Sequence, residues 1–383
     1  MGELECASRP RDLEVMRKVM QQIRFCTSSD GVRIAYAVTG TGAPLVKVAN
    51  WLSHLEFDAD SPVWRHWLTE LSRHHSLVRY DERGSGLSDW NAEDISFEAW
   101  VRDLETVVDA AGLVRFPLLG IAKGGAIAIA YAVRHPERVS HLVLYGTSAQ
   151  GRRARAATDE QREEADAMIK LAGLGWGKEY PAFRQVFAMQ FHPDGTTEQH
   201  RAFNEMQRLA TTPHNAVRMM SARTDMDVRS LLPRVSCPTL VLHARHDLRI
   251  PYDEGRQIAA LIPGAHFVIL ESRNHILTES DPAWERLVAE LRAFLPAPET
   301  AASPAAADGA FARLSARERE VLDLIAQGLD NAQLAARLTL SEKTVRNHIT
   351  SIFAKLEVDN RARAIVLARE AGFGARRDGS APR

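Results

Sequence analysis

The stretch from residue 118 to 139, LLGIAKGGAIAIAYAVRHPERV, constrains the fold more than any other part of this 383-residue chain. An apolar strand runs into a corner framed by Gly120 and Gly124, and a helix of small residues leaves it. Glycines allow the backbone segments of such a corner to approach each other closely. A strand, a tight turn and a helix in this order predict a parallel sheet with helical connections.

Short apolar runs alternate with helical patterns through the first three quarters of the chain, which predicts a mainly parallel α/β sheet. Residues 23–40, with Ser29, Asp30 and Gly31 at the turn, predict a β-hairpin before it. The predicted strands that follow cover residues 45–49, 77–80, 116–120, 141–145, 239–243 and 266–270.

One long helical stretch interrupts this alternation, at about residues 151–231. It is rich in aromatic and Met side chains, so we predict an inserted cap with its own small core that covers an apolar ligand pocket. Arg152, Arg153 and Arg155 near its beginning are followed by acidic residues, which predicts a solvated helix start.

Residues 297–310, APETAASPAAADGA, predict a flexible linker because they are rich in Pro and Ala and have no apolar period. The linker divides the predicted α/β domain, 24–296, from an all-helical module, 311–373. Residues 1–23 and 374–383 are expected to be flanking segments. The helical module carries an excess of Lys and Arg, whereas the rest is acidic.

Three isolated cysteines, Cys6, Cys26 and Cys237, fit neither a disulfide framework nor a zinc site. No apolar run approaches the ~20 residues that span a bilayer, and the charged N-terminus lacks the apolar centre of a signal peptide. We therefore expect a cytoplasmic protein without membrane contact, metal or cofactor.

Two later polar residues complete the pattern at the corner. Asp247 follows one predicted strand and His275 follows the next, in the order expected for an acid and a base after a nucleophile corner. Together with VRYDERGSGLSDW at 78–90 and HPERVSHLVLYGT at 135–147, these motifs resemble the α/β-hydrolase family. The resemblance implies that Ala122, Asp247 and His275 stand at the positions of nucleophile, acid and base.

Alanine at this position excludes the family's usual chemistry, because a methyl group has no lone pair with which to form an acyl-enzyme. We expect a binding pocket for a small, mostly apolar molecule instead, lined by Trp51, Ala122, Lys123, Asp247 and His275. Within it, the Lys123 N–H should face the ligand while its side chain points elsewhere, into solvent.

The C-terminal module is predicted to contain four capped helices. Ser315 with Glu318 and Asp330 with Gln333 each form a capping-box signature. A third helix follows Ser341 and has an apolar face with steps of four, three and four: Val345, Ile349, Ile352 and Leu356.

The segments LSARERE, LIAQGLDNAQLAARL and LSEKTVRNHITSIFAKL in this module resemble the LuxR/GerE-type helix-turn-helix domain of bacterial regulators. The resemblance implies double-stranded operator DNA as a partner, and a homodimer formed through the fourth helix. It also implies that seven residues approach the major groove and its phosphates: Lys343, Thr344, Val345, Arg346, Asn347, His348 and Thr350.

The sequence therefore predicts a transcription regulator that responds to a small-molecule effector. Two alternatives stay open. The first domain could retain residual hydrolysis by water through His275 and Asp247, or it could bind nothing and serve only as a dimerisation scaffold. Assays of esterase activity and of ligand-induced stabilisation separate these hypotheses.

Overall fold

The computed structural model describes residues 21–178, 181–296, 311, 314–356, 358, 361–370 and 373–374. The chain divides into two compact units, Met1–Pro298 and Glu299–Arg383. The predicted linker and most of the two flanking segments lie outside the described residues. The first strand begins at Gln21, three residues before the predicted domain start, because the hairpin pairs Gln21 with Thr39.

The described part of the first unit contains one eight-stranded sheet, with strand order β1-β2-β4-β3-β5-β6-β7-β8. β2 runs antiparallel to β1 and β4, and the remaining pairs are parallel, so the predicted hairpin and mainly parallel sheet are confirmed. The strands are β1 Gln21–Thr27, β2 Arg33–Thr39, β3 Ala43–Lys47, β4 His75–Tyr80, β5 Phe116–Ile121, β6 Val139–Tyr145, β7 Thr239–Ala244 and β8 His266–Leu270.

The carboxyl ends of the central strands meet at one edge of the sheet. Every residue of β5 and β7 is buried, as expected for strands covered on both faces. The parallel register aligns Ile121 with Tyr145, Tyr145 with Leu242 and Ala244 with Leu270. Residues that follow β5, β7 and β8 are therefore brought to the same edge, where ligands bind in open α/β sheets.

Between β6 and β7, the described residues form four α-helices that make up the predicted cap, with α5 packed against α8. The apolar side chains of the cap belong to the same cluster as the sheet core. The prediction that the cap has its own small core is therefore wrong. The helices of the first unit are α1 Leu55–Asp60, α2 Arg65–Ser72, α3 Phe97–Ala110, α4 Gly124–Arg134, α5 Asp159–Gly175, α6 Pro181–Phe191, α7 Thr197–Ala210, α8 Pro213–Thr224, α9 Tyr252–Leu261 and α10 Trp284–Phe294, with a 3-10 helix at Arg229–Arg234.

The second unit contains α11 Ala316–Ala326, α12 Asn331–Leu338, α13 Glu342–Leu356 and α14 Arg361–Glu370. Both predicted capping boxes are present, at Ser315 and at Asp330. Thr339 adopts a left-handed backbone with φ of 53°, which makes the tight turn between α12 and α13. Among the described residues, no helix is long and apolar enough to cross a membrane.

Candidate functional site: a hydrolase-like corner and a helix-turn-helix

Ala122 occupies the apex of the corner between β5 and α4. Its φ is +52°, a left-handed conformation that costs an L-residue about 1–2 kcal/mol. The flanking glycines are required, since a Cβ on Gly120 would lie 2.5 Å from the Gly125 Cα, and one on Gly125 would lie 2.1 Å from the Thr147 hydroxyl oxygen. The strained strand-to-helix turn of a nucleophile elbow is thus present with a methyl group at its apex.

Asp247 and His275 form a buried pair at the same sheet edge. The His275 Nδ1 lies 2.7 Å from the Asp247 Oδ2, and the Asp247 Oδ1 accepts hydrogen bonds from the Arg249 and Ile250 amides at 2.7 and 3.0 Å. Burial alone would raise the pKa of the Asp247 carboxyl, but its pairing with His275 holds that pKa below the usual value. The ionised carboxylate accepts a hydrogen bond from the Nδ1–H of His275, which leaves Nε2 as the acceptor nitrogen of the ring.

The cap closes over His275. The centroid of the Phe191 ring, at the end of α6, lies 5.2 Å from the centroid of the His275 imidazole. The Phe191 carbonyl accepts a hydrogen bond from the backbone N–H of His275 at 2.9 Å. His275 is fully buried, and its Nε2 has no hydrogen-bond partner in the part of the chain that the structure describes. Nε2 can accept a proton or a hydrogen bond, but Ala122 offers it no hydroxyl to activate.

A narrow pocket lies between the cap and the corner, with about 420 Å³ of atom-free space, its mouth included. Four cationic side chains line it: Lys123, Arg152, Arg223 and Arg249. The other lining residues are Trp51, Ala165, Met168, Ile169, Met220 and Thr224.

The pocket agrees only in part with the sequence-based expectation. Trp51 and Lys123 line it, whereas Ala122, Asp247 and His275 are not among its lining residues. The expected mostly apolar character is also incomplete, because the pocket has four basic side chains besides its apolar wall. At the sheet edge that was expected to form the pocket, the Phe191 ring packs near the rings of His275 and Trp51, with centroid distances of 5.2 and 6.5 Å.

The expectation that the Lys123 side chain is solvated is wrong. This side chain is mostly buried and lines the pocket, because the cap covers the corner. Burial, together with the nearby Arg249 and Arg155 guanidinium groups, lowers the pKa of Lys123 well below its usual value.

The prediction of a solvated start to the first cap helix holds for one of its three arginines. Arg153 forms ion pairs with Asp225 and Asp166. Arg152 lines the pocket, and Arg155 is mostly buried, where desolvation lowers its pKa. The acidic residues that follow gave a misleading signal, since burial under the cap depends on α8 packing against α5.

The third helix of the C-terminal module, α13, presents most of the predicted DNA-contacting residues. Lys343, Arg346, Asn347 and Thr350 are exposed, and Thr344 and His348 are partly exposed. Val345 is fully buried in the core of the unit, so its assignment to the DNA surface is wrong. Val345 is buried because it is the first residue of the apolar face of α13, which packs against the core of the unit.

Glu318 joins α11 to α13, a role that its capping motif alone did not indicate. Its carboxylate accepts the Ser315 amide at 2.7 Å, the Ser351 hydroxyl at 2.7 Å and the Lys355 ammonium at 2.7–2.8 Å. These donors, led by Lys355, lower the pKa of Glu318 to about 2. The helix α13 is therefore held by a charged contact as well as by apolar packing.

Comparisons with known proteins agree with this architecture. The family model for the alpha/beta hydrolase fold matches residues 57–282, and the model for bacterial regulatory proteins of the luxR family matches residues 312–368. The chain is 25% identical over 267 residues to a pyrrolizixenacetamide deacetylase from Xenorhabdus hominickii, covering 69% of this chain and 94% of the relative. It is 28% identical over 291 residues to a 2-hydroxy-6-oxo-2,4-heptadienoate hydrolase from Pseudomonas putida, covering 71% and 97%.

A solved structure shows the same fold. The esterase from Exiguobacterium antarcticum superposes with a TM-score of 0.60 at 22% identity, covering 71% of this chain and 99% of that chain. The chain belongs to the α/β-hydrolase fold family and carries a C-terminal DNA-binding domain of the luxR family of bacterial regulatory proteins.

Proposed function

We propose that this protein is a transcription regulator whose hydrolase-like domain binds a small effector without hydrolysing it. The observation that carries the proposal is Ala122 at the apex of an intact elbow. The left-handed backbone, the framing glycines and the Asp247–His275 pair are all retained, whereas the nucleophilic oxygen is missing. A site that binds its ligand and leaves it intact suits a receptor better than an enzyme.

The pocket between the cap and the corner is the proposed effector site. Trp51 and Lys123 reach it from the sheet side, and α5 and α8 form its outer wall. The effector can regulate only if it binds one conformational state of the protein more tightly than another. An effector beneath the helical cap contacts the cap helices. It can therefore favour one packing arrangement of the cap over another.

The exposed face of α13 is the proposed DNA-reading surface. Lys343 and Arg346 suit phosphates and guanine edges, and Asn347 suits adenine. We further propose that the protein acts as a homodimer through α14, because paired half-sites require two copies of the reading helix.

The test is to restore the nucleophile. Purified wild-type protein, Ala122→Ser, and Ala122→Ser with His275→Ala are assayed with short- and medium-chain aryl esters. We expect no enzymatic turnover by the wild type, and turnover by Ala122→Ser that is lost when His275 is also removed. Wild-type turnover that disappears in His275→Ala alone would overturn the receptor proposal in favour of residual hydrolysis.

A further inference from the structure

We propose that the pocket binds a small organic carboxylate, with its basic side chains holding the carboxylate and its apolar wall holding the rest of the ligand. This inference rests on the proposed function and deepens it by naming the chemical class of the effector. The observation behind it is that four cationic side chains converge on one narrow pocket.

The four cations reach the pocket from segments that are far apart in the sequence. Lys123 lies at the corner before α4, and Arg152 lies between β6 and α5. Arg223 comes from the last turn of α8, and Arg249 follows β7. Because these segments meet only in the folded chain, their like charges are brought together by folding, which is unfavourable without a compensating anion.

Pairing within the protein leaves this charge incompletely compensated. Arg223 forms an ion pair with Glu82, but the Arg152 Nη1 lies 3.6 Å from the Glu164 Oε1, beyond hydrogen-bond distance. Arg249 donates a hydrogen bond to the neutral Gln190 at 2.9 Å. Lys123 forms neither a hydrogen bond nor an ion pair with the residues that the structure describes.

Several of the buried donors around the pocket have no acceptor. Nη1 of Arg152, of Arg155 and of Arg223 is buried without a hydrogen-bond partner in the described part of the chain. A buried N–H without an acceptor is costly, and a charged one more so. A carboxylate has about four lone-pair sites and can accept from two or more of these groups at once.

The wider surroundings remain positive when the nearby carboxylates are included. Burial, and to a smaller extent the neighbouring Arg152 and Arg155 guanidinium groups, lower the pKa of Arg249 to about 9. The cations are Lys123, Arg152, Arg155, Arg223 and Arg249, against the carboxylates of Glu82, Glu164, Glu254 and Asp247. The Asp247 carboxylate is already bound to His275 and to two backbone amides.

The apolar side chains of the pocket favour an organic anion over a simple inorganic one. Trp51, Met168, Ile169 and Met220 line the same pocket as the cations. An inorganic phosphate would remain largely hydrated and leave this surface uncovered, whereas a carboxylate on a ring or a short chain buries it.

Paired probes test the proposal on the full-length protein. Benzoate and octanoate are compared with their neutral counterparts benzamide and octanamide, and with inorganic phosphate, by calorimetry and by tryptophan fluorescence, since Trp51 lines the pocket. We expect each carboxylate to bind about tenfold or more tightly than its amide and than phosphate, because bonds to charged groups are the stronger ones. Equal or tighter binding of the amides, or tighter binding of phosphate, would overturn the carboxylate assignment and leave the proposed function standing. Binding of none of the probes would also overturn the carboxylate assignment, whereas the proposed function is tested separately by the Ala122→Ser assay.

Substitutions in the pocket test which side chains bind the carboxylate. Arg152→Gln and Lys123→Met should each weaken carboxylate binding about tenfold, and should weaken amide binding by a smaller factor. Lys123→Met should also raise the melting temperature of the ligand-free protein, because it removes a largely buried amine that lies among other basic side chains. Arg153→Gln is the matched control, since Arg153 pairs with Asp225 and does not line this pocket. Unchanged carboxylate binding in both pocket variants, or an equal loss in the control, would overturn the proposal.

Discussion

Lys123 shows how far one side chain can depart from its usual behaviour when a fold covers it. At the apex of the neighbouring turn, Ala122 keeps a backbone strain that a hydrolase uses to present its nucleophile. The next residue projects into a pocket with other cations, and its pKa is lowered. The corner thus supplies a positioned amine instead of a positioned hydroxyl.

This lowered pKa predicts that carboxylate binding is linked to proton uptake. A carboxylate next to Lys123 favours the ammonium form and raises its pKa, so affinity should increase as pH falls through the lowered pKa of the free protein. The other titratable groups near the site should also increase carboxylate affinity as pH falls. Glu254, whose pKa burial raises, loses negative charge as pH falls, and Arg249 gains positive charge.

Calorimetry over a pH series, in two buffers of different ionisation enthalpy, measures this proton uptake. The affinity of octanoate should rise toward lower pH until the ligand itself becomes protonated. Lys123→Met should flatten the dependence, and Arg153→Gln should leave it unchanged. A wild-type affinity that does not vary with pH would contradict the placement of Lys123 beside the carboxylate.

At the scale of the element, α13 is held against α11 by one carboxylate in addition to apolar packing. Glu318 caps its own helix through Ser315 and binds Lys355 on α13. A glutamine keeps the capping geometry but loses the charge, so the two contributions can be separated.

We predict that Glu318→Gln destabilises the DNA-binding unit by about 1–2 kcal/mol. All seven tryptophans lie in the first unit, so their fluorescence reports that unit alone, whereas far-UV circular dichroism reports both. The variant should therefore shift only the dichroism transition assigned to the second unit. Glu320→Gln is the control, because its pair with Arg317 is largely exposed and should contribute about 0–1 kcal/mol at most.

Acid should have the same effect as the glutamine substitution. The folded-state pKa of Glu318 lies below its unfolded value, so its contribution to stability is full above the unfolded pKa and is lost as pH falls toward about 2. In Glu318→Gln the unfolding transition of the second unit should be less sensitive to acid over this window. Equal acid sensitivity in the variant and the wild type would show that other groups control it.

The elements themselves could be predicted from the sequence because their signals are local. The strands, the glycine corner and both capping boxes depend on residues within a few positions of one another. Even Val345 could have been placed in the core, since its own apolar period indicated burial and the family resemblance pointed elsewhere. The pocket cations could not be predicted, because the burial of Arg152 and Arg249 depends on how the cap packs onto the sheet.

At the scale of the whole molecule, regulation requires the effector site and the DNA site to be thermodynamically coupled. If the effector changes operator affinity by some factor, operator DNA must change effector affinity by the same factor. Typical coupling corresponds to about 5–150-fold. This reciprocity holds whatever the sign of the regulation and however the two units are arranged.

We therefore predict equal coupling factors in two independent titrations. The duplex is selected in vitro by the protein from a random pool. The protein is titrated with this duplex in the presence and absence of a saturating carboxylate, and with the carboxylate in the presence and absence of the duplex. Both titrations use one fixed salt concentration, because DNA affinity falls steeply with salt. Arg346→Ala should weaken duplex binding and leave carboxylate affinity in the absence of DNA unchanged, since Arg346 lies on the exposed face of α13. Carboxylate affinity that is identical with and without bound duplex would mean that the two sites are independent, and a protein with independent sites cannot be regulated by this effector.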